Sequence, residues 1–217
     1  MVAQGRVYVD RRDAGFELGK LLEREYKDKD VLVLGIPRGG VVIAYEVASV
    51  LRAELSVVIT KKLPHPSQEE LAIGAVAEDG SVYLNSAATS VHRDLVKRIK
   101  EEQHLEIVSR IERFRQGRPL PDMKGRTVII ADDGIATGST LVPAIKLCRK
   151  REPGKIIVAA PVAGRKYLSE IDELADEVVI AEQPPMFYAV GQVYEDFHHV
   201  PDEEVQELLE NFEKKAL

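Results

Sequence analysis

Short, unbroken apolar runs alternate along this chain with longer stretches in which apolar residues recur every three or four positions. The runs are Val31–Ile36, Leu55–Thr60, Thr127–Ala131, Ile156–Ala160 and Glu177–Ala181. Strands buried on both faces have this continuous character, because helical crossovers cover both sides of a parallel sheet. The periodic stretches predict helices. Asp10 caps a first helix over Arg11–Glu25, with Phe16, Leu18, Leu21 and Leu22 at helical spacing. Val41–Leu51 predicts a second. Val91–Arg115 has no Gly or Pro and brings Val91, Leu95, Ile99, Val108, Ile111 and Phe114 near one face. Another helix follows Gly138 and stops at Pro153-Gly154, with Pro143 in its first turn or so, where proline is tolerated. Lys166–Leu174 and Pro201–Lys214 complete the set, the last with an acidic start and Lys214-Lys215 at its end. The alternation implies an α/β fold: a twisted parallel sheet of about five strands flanked by helices.

Three segments break the alternation. Lys61–Gln68 holds two prolines and reads as a loop. Leu71–Ala77 and Val82–Leu84, separated by Glu78-Asp79-Gly80, read as a hairpin. Gln183–Val200 is irregular and aromatic, and forms a small hood. The organisation expected is a core over residues 1–182, a hood over 183–200 and a terminal helix over 201–217.

The length of 217 residues suits one large domain with a small cap. Hydrophobic residues at 45% and charged residues at 30% exclude a disordered chain. A net charge of -6 disfavours bulk nucleic-acid binding. Cys148 is the single cysteine, so no intramolecular disulfide can form, which fits a reducing compartment. The start of the chain is charged at Asp10, Arg11, Arg12 and Asp13, which is not the pattern of a signal peptide, and no apolar run is long enough for a bilayer. A cytoplasmic protein with no membrane partner is expected.

The chemistry concentrates at Val128–Thr140. A buried strand ends in two carboxylates, Asp132 and Asp133, and a loop of small residues then enters a helix. Ligands of open α/β sheets bind at the carboxyl ends of strands. The amides of a helix start, with the hydroxyls of Thr137, Ser139 and Thr140, form an anion pocket. The macrodipole contributes about 0.3–1 kcal/mol, whereas each hydrogen bond to a charged group contributes about 1.5–3 kcal/mol. The amides and hydroxyls therefore decide phosphate affinity. The two carboxylates can accept from vicinal hydroxyls, so a sugar phosphate matches the whole pattern. Read without further context, Asp132-Asp133 is also compatible with a plain strand end and turn. The stretch is neither a Walker A loop nor a dinucleotide fingerprint, and the chain has no Gly-x-Ser-x-Gly elbow.

Four apolar residues, two acids, three variable residues and Thr-Gly-x-Thr resemble the motif with which type I phosphoribosyltransferases bind phosphoribosyl pyrophosphate (PRPP). The resemblance implies that Asp132 and Asp133 hold the ribose hydroxyls and that Ala136, Thr137, Gly138, Ser139 and Thr140 cradle the 5-phosphate. It implies a Mg2+ ion bridging ribose and pyrophosphate oxygens, met by Asp132 and Asp133 directly or through water, and a homodimer. Pro37-Arg38-Gly39-Gly40 follows a strand, enters a helix and resembles the family's pyrophosphate loop, with Arg38, Gly39 and Gly40 as contacts and a cis bond before Arg38. By itself it reads equally as a tight turn with a solvated arginine. Lys61-Lys62 ends a strand on the same sheet edge, and Lys62 matches a family lysine. Pro64–Asn85 lies where the family carries a mobile loop. Glu70–Gly80 and Phe187–Phe197 resemble a subgroup of uncharacterised bacterial and archaeal members.

The activity implied is transfer of 5-phosphoribosyl from PRPP to a nitrogen of a small-molecule acceptor, a nucleobase. The alternative is a PRPP-binding regulator with little or no transferase activity, since the same fold serves both. Phe187 resembles the phenylalanine that stacks on the base in hypoxanthine–guanine enzymes, with one extra residue before Val190-Gly191; core packing is the other role open to it. Those enzymes carry an aspartate immediately before Thr-Gly, where this chain has Ala136, and adenine and uracil enzymes commonly have alanine there. A 6-oxopurine acceptor is therefore not expected. His65, His92, His104, His198 and His199 show no metal-ligand spacing; His92 and His104 read as a solvated helix face, and His198-His199, next to the aromatic segment, read as surface positions with approach to a base as the alternative. Lys97, Arg98, Lys100, Arg110, Arg113 and Arg115 interleave with glutamates and read as a solvated ion-pair face.

Overall fold

The structure, a computed structural model, describes residues 7–216; the first six residues of the expected core and Leu217 at the end of the terminal helix lie outside the described residues. The main sheet holds β1 (Val31–Gly35), β2 (Glu54–Val57), β6 (Thr127–Ala131), β7 (Lys155–Val162) and β8 (Glu177–Glu182). All five are parallel, in the order β2-β1-β6-β7-β8. Alternation of side chains across the sheet sorts the apolar runs onto two faces. Leu32, Leu34, Val128, Ile130, Ile156 and Val158 pack against α4 (Leu141–Arg149) and α5 (Glu170–Leu174). Val31, Val33, Ile129 and Ile157 pack against α1 (Arg11–Tyr26) and α2 (Gly39–Leu51). Asp10 caps α1, its carboxylate accepting from the Asp13 amide. Only Leu18 and Leu22 of its predicted apolar positions are buried; Phe16 and Leu21 are exposed, because the helix meets its neighbours through Ala14, Gly15, Leu18, Gly19 and Leu22.

The chain leaves β1 toward β2 on one side and returns to β6 on the other. The strand order reverses between β1 and β6, which is where open α/β sheets bind ligands. Gly35 is in register with Ala131, and the Ile36 amide donates to the Ala131 carbonyl at 3.0 Å. The segment after β1 and the segment after β6 are thus held side by side.

The prediction of a loop over Lys61–Gln68 is corrected. Thr60–His65 is a strand, β3, which joins β4 (Gln68–Ala77) and β5 (Val82–Leu84) in a separate antiparallel sheet of order β3-β4-β5. Pro64 is accommodated because β3 is an edge strand and the register shifts on both sides of it, so the missing N–H interrupts no regular ladder. The predicted hairpin is present as β4 and β5. This sheet packs on α3 (Arg93–Arg115) and α6 (Asp202–Ala216) through Leu63, Ile73, Ile99, Ile107, Val205 and Leu208. The basic residues of α3 are not one solvated face: Arg115 is buried and donates twice to the buried Glu78 carboxylate, at 3.0 and 2.9 Å, and Arg113 pairs with Asp202. Val108, predicted on the apolar face, is exposed.

Residues 183–200 contain only one short 3-10 turn, Val190–Val193. The segment is pinned to the start of the chain: Glu195 and Asp196 donate from their amides to the carbonyls of Tyr8 and Val9.

Candidate active site

The apolar run of β6 ends at Ala131, and the next two side chains emerge at the sheet edge. Asp132 and Asp133 border a cavity of about 510 Å³ with Arg11, Arg38, Gly39 and Thr140. Burial pushes the Asp132 carboxyl well above the usual carboxylate range. The adjacent Asp133 charge adds to this, while the Asp133 amide, Lys62 and Arg11 oppose it. One Asp132 oxygen accepts from the Asp133 amide at 2.9 Å. Burial raises Asp133 as well, against the Arg11 guanidinium.

Arg11 is the residue that sequence reasoning missed. It is the first residue of α1 and is 7% exposed. Its Nε donates to Asp133 Oδ2 at 2.8 Å, its Nη1 donates to the His198 carbonyl at 2.8 Å, and its guanidinium carbon lies 3.8 Å from the Phe197 ring centroid. Tyr194 donates its hydroxyl to the Asp133 carbonyl at 2.6 Å. The far end of the 183–200 segment is therefore clamped to the carboxylate pair. His198 and His199 are exposed, as expected, and border the same cavity. His199 Nδ1 is 3.5 Å from Arg38, while the His198 ring faces Asp196.

Arg38, Gly39 and Gly40 sit beside the acids as expected, and the Pro37–Arg38 peptide is cis. Gly39 is required by proximity: a Cβ there would lie 1.9 Å from Asp133 Oδ2. In the loop after β6, Gly138 has φ +81° and its carbonyl accepts from the Leu141 amide at 3.0 Å to begin α4. A side chain there would also strike Ile171, so this turn needs glycine; beyond it the Ser139 amide donates to Thr137 Oγ1 at 3.4 Å. Thr137 and Ser139 hydroxyls lie 3.4 Å apart. The Thr137 carbonyl accepts from Leu168, and the Gly164 amide donates to the Ile135 carbonyl, fixing the loop to the end of β7.

Phe187 is half-buried beside this loop. It borders a cavity of about 440 Å³ with Ala136, Thr137, Gly164, Arg165 and Lys166. Its ring lies over Gly164, where a Cβ would come within 2.9 Å of it. Lys62 is exposed on β3, borders a third cavity next to Arg38, and is one of the charges that offset the burial of Asp132. The structure thus gathers Asp132, Asp133, Arg38, Gly39 and Thr140 around one cavity. Phe187 and Ala136 lie around a second, and Lys62 at a third that shares Arg38 and Thr140 with the first. Among the described residues no helix is long and apolar enough to cross a membrane.

Comparison with known proteins agrees with this geometry. The family model described as "Phosphoribosyl transferase domain" matches residues 11–198. A Mycobacterium tuberculosis protein named "Putative phosphoribosyl transferase" is 40% identical over 208 residues, covering 94% of this chain and 47% of its own length. The chain thus spans about half the length of these curated relatives. A uracil phosphoribosyltransferase of Aquifex aeolicus is 30% identical over 123 residues, covering 55% of this chain and 56% of its own. The solved structure of TT1426 from Thermus thermophilus superimposes with a TM-score of 0.79 at 38% identity, over 95% of this chain and 99% of that one. With the motif at the switch point of a five-stranded parallel sheet and a family match across nearly its whole length, this chain belongs to the phosphoribosyl transferase family and has the type I fold.

Proposed function

We propose that this protein transfers the 5-phosphoribosyl group of PRPP to a nitrogen atom of a nucleobase and releases pyrophosphate. The observation that carries this reading is the pair Asp132-Asp133 at the end of β6, set between the Arg38-Gly39 turn on one side and the Thr137–Thr140 loop on the other. Vicinal ribose hydroxyls would donate to the two carboxylates. The 5-phosphate would lie at the start of α4, where the loop amides and the Thr137, Ser139 and Thr140 hydroxyls can donate to it. As the C1–oxygen bond to pyrophosphate breaks and the C1–nitrogen bond forms, positive charge develops at C1. The chain's part is positioning and charge stabilisation.

The donor set suits magnesium. Two adjacent carboxylates are hard oxygen ligands, and among the described residues no group of three or more His, Cys, Asp or Glu could hold a metal by itself. Asp132 and Asp133 would hold the ion, with water and substrate oxygens completing its shell. When bound it would supply neutralisation of the charge growing on the pyrophosphate oxygens.

The cavity between Ala136 and Phe187 is the proposed base site. Phe187 offers a ring face to a planar base, worth about 1–3 kcal/mol by analogy with base stacking in nucleic-acid binders. Ala136 presents a methyl group, which cannot donate or accept a proton, so this position offers no acid or base to the N7 of a 6-oxopurine. The test is pyrophosphate release from PRPP and magnesium, screened over nucleobases one at a time. Release that depends on one base other than guanine, hypoxanthine or xanthine is expected. Tight PRPP binding with no release in the presence of any base would instead favour a PRPP-binding regulator. Unchanged PRPP affinity in a folded Asp132→Asn, Asp133→Asn double variant would refute the assignment of the site.

A further inference from the structure

Arg11 is poorly placed for stability alone. It is the first residue of α1, where the helix dipole disfavours a cation, and it is buried, so its charge is withdrawn from most of the water. A residue that breaks two such rules calls for a functional reason. What Arg11 gains is contact with two separate parts of the site at once. Nε donates to Asp133 Oδ2 and Nη1 to the His198 carbonyl, each at 2.8 Å, while the guanidinium lies over the Phe197 ring. Asp133 Oδ2 is also pressed against Gly39, which has no room for a Cβ. One oxygen of Asp133 is thereby committed to the protein. The other, Oδ1, has no hydrogen-bond partner among the described residues, and the side chain keeps 18% of its surface open. The hood end that Arg11 holds is packed as one piece. Tyr194 stacks on Phe197 with ring centroids 5.0 Å apart, and the Tyr8 amide donates to the Val193 carbonyl at 2.7 Å.

We infer that Arg11 is a positioning residue that joins the PRPP site to the hood. One edge of its guanidinium fixes Asp133 so that Oδ1 meets a ribose hydroxyl, and the other edge fixes residues 194–198. Filling the ribose site and ordering the hood therefore favour each other, and the coupling is reciprocal. The hood also carries Phe187 beside the proposed base cavity, so order passed along it reaches the acceptor. The inference rests on the function proposed above. A rigid fork suits this role, because its nitrogens can hold two acceptors at fixed separation where an ammonium is a single point charge. Arg12, the next residue, is exposed and has only a long contact of 3.4 Å to Glu46, so it carries the same charge without the same role.

The test is a double-variant cycle. PRPP with magnesium is titrated by calorimetry into the wild-type chain, Arg11→Gln, Asp133→Asn, the double variant and Arg12→Gln. Arg11→Gln should weaken PRPP about tenfold or more, the loss of a charge-assisted hydrogen bond. It should cost little further on the Asp133→Asn background, because the group it positions is already altered. Arg12→Gln should bind PRPP as wild type does. Arg11→Lys, which can pair with Asp133 but cannot span both partners, should recover most of the PRPP affinity. Hydrogen exchange reads the hood, with PRPP held at the same multiple of each protein's Kd so that global stabilisation is matched. PRPP should slow the Glu195 and Asp196 amides of the wild-type chain about fivefold or more. Most of that gain should be lost in Arg11→Gln and Arg11→Lys, while the Ile36 amide of the core gains alike in all three. Additive losses in the cycle, an equal loss in Arg12→Gln, or hood amides that respond to PRPP as in wild type without Arg11 would each overturn the inference. Should Arg11→Gln show no cooperative melting, the hood amides of Arg11→Lys decide in the same way. Where the wild-type chain binds PRPP and Asp133→Asn weakens it, the proposed function survives such a result. A wild-type chain that does not bind PRPP removes both.

Discussion

Asp132→Asn should raise the thermal stability of the free protein while weakening its hold on PRPP. In the wild-type chain Asp132 is half-buried next to a second carboxylate, and desolvation and the neighbouring charge both push its pKa up. Asparagine has nearly the same shape, and its Oδ1 can keep the 2.9 Å hydrogen bond from the Asp133 amide. The variant thus removes a disfavoured charge without opening a cavity. Relief of this kind at a functional site commonly gives about 0.5–2 kcal/mol. For a chain of this length each 1 kcal/mol moves Tm by about 2–4 °C. The pH dependence has a definite sign. A group whose folded pKa is raised favours folding below its unfolded value, and that contribution is lost as pH rises through the folded value. The wild-type protein therefore loses stability from this group as pH climbs above the ordinary 3.8, and the variant does not. Scanning calorimetry of both proteins in chelator, between about pH 4 and 8, should show a gap in Tm that favours the variant and widens with pH before levelling off. PRPP affinity with magnesium should fall by about 1.5–3 kcal/mol, the loss of hydrogen bonds to one charged group. A variant no more stable than wild type near neutral pH, or a gap that narrows as pH rises, would refute this account of Asp132.

Gly39→Ala should weaken PRPP binding about tenfold or more, read by titration, because its Cβ would displace the Asp133 carboxylate from Arg11; unaltered affinity would show that the two segments can part at little cost. Arg115→Met should destabilise the chain by about 3–5 kcal/mol in denaturant unfolding, since it strands the buried Glu78 charge; a double variant Glu78→Gln, Arg115→Met should be milder than the sum of the singles. Phe187→Ala should lower acceptor affinity by about 1–3 kcal/mol with PRPP affinity kept; a loss of thermal stability alone would make Phe187 a packing residue only.

The elements that sequence reads best are those whose surroundings are uniform. Thr127–Ala131 is a strand with the predicted bounds, because it is covered on both faces and its run of apolar residues ends abruptly at two acids. The second sheet is legible only in part, since Pro64 and Pro66 argue for a loop wherever the strand's neighbours are unknown. In the fold, β3 lies at an edge and slips register at Pro64, so the usual objection to proline in a strand does not apply. Phe16 and Leu21 carry the right spacing for a buried face, yet α1 approaches α2 through small residues and leaves them outside. Hydrophobic period marks which faces can be buried, and the partner's shape decides which are.

The site divides along the same line. Asp132, Asp133 and the loop to Thr140 are legible because one short stretch holds strand end, acids, hydroxyls and glycine together, and the turn geometry follows from those residues. Arg11 is not, because its meaning depends on Asp133, 122 positions away, and on the His198 carbonyl, 187 positions away. At the start of a helix, between Asp10 and Arg12, an arginine carries no mark of burial. Arg110 is a similar case on α3, where its charged neighbours suggest an ordinary surface. A cation's role in this fold is set by whether the chain leaves it a counter-ion. Arg115 has one in Glu78 and holds the packing of the second sheet, whereas Arg110, a turn and a half earlier on the same helix, has none among the described residues and faces the cavity beside Lys61. Sequence spacing cannot separate these two residues. The ion pairs of the folded chain do: they tie one into the packing of the second sheet and, among the described residues, leave the other without a counter-ion.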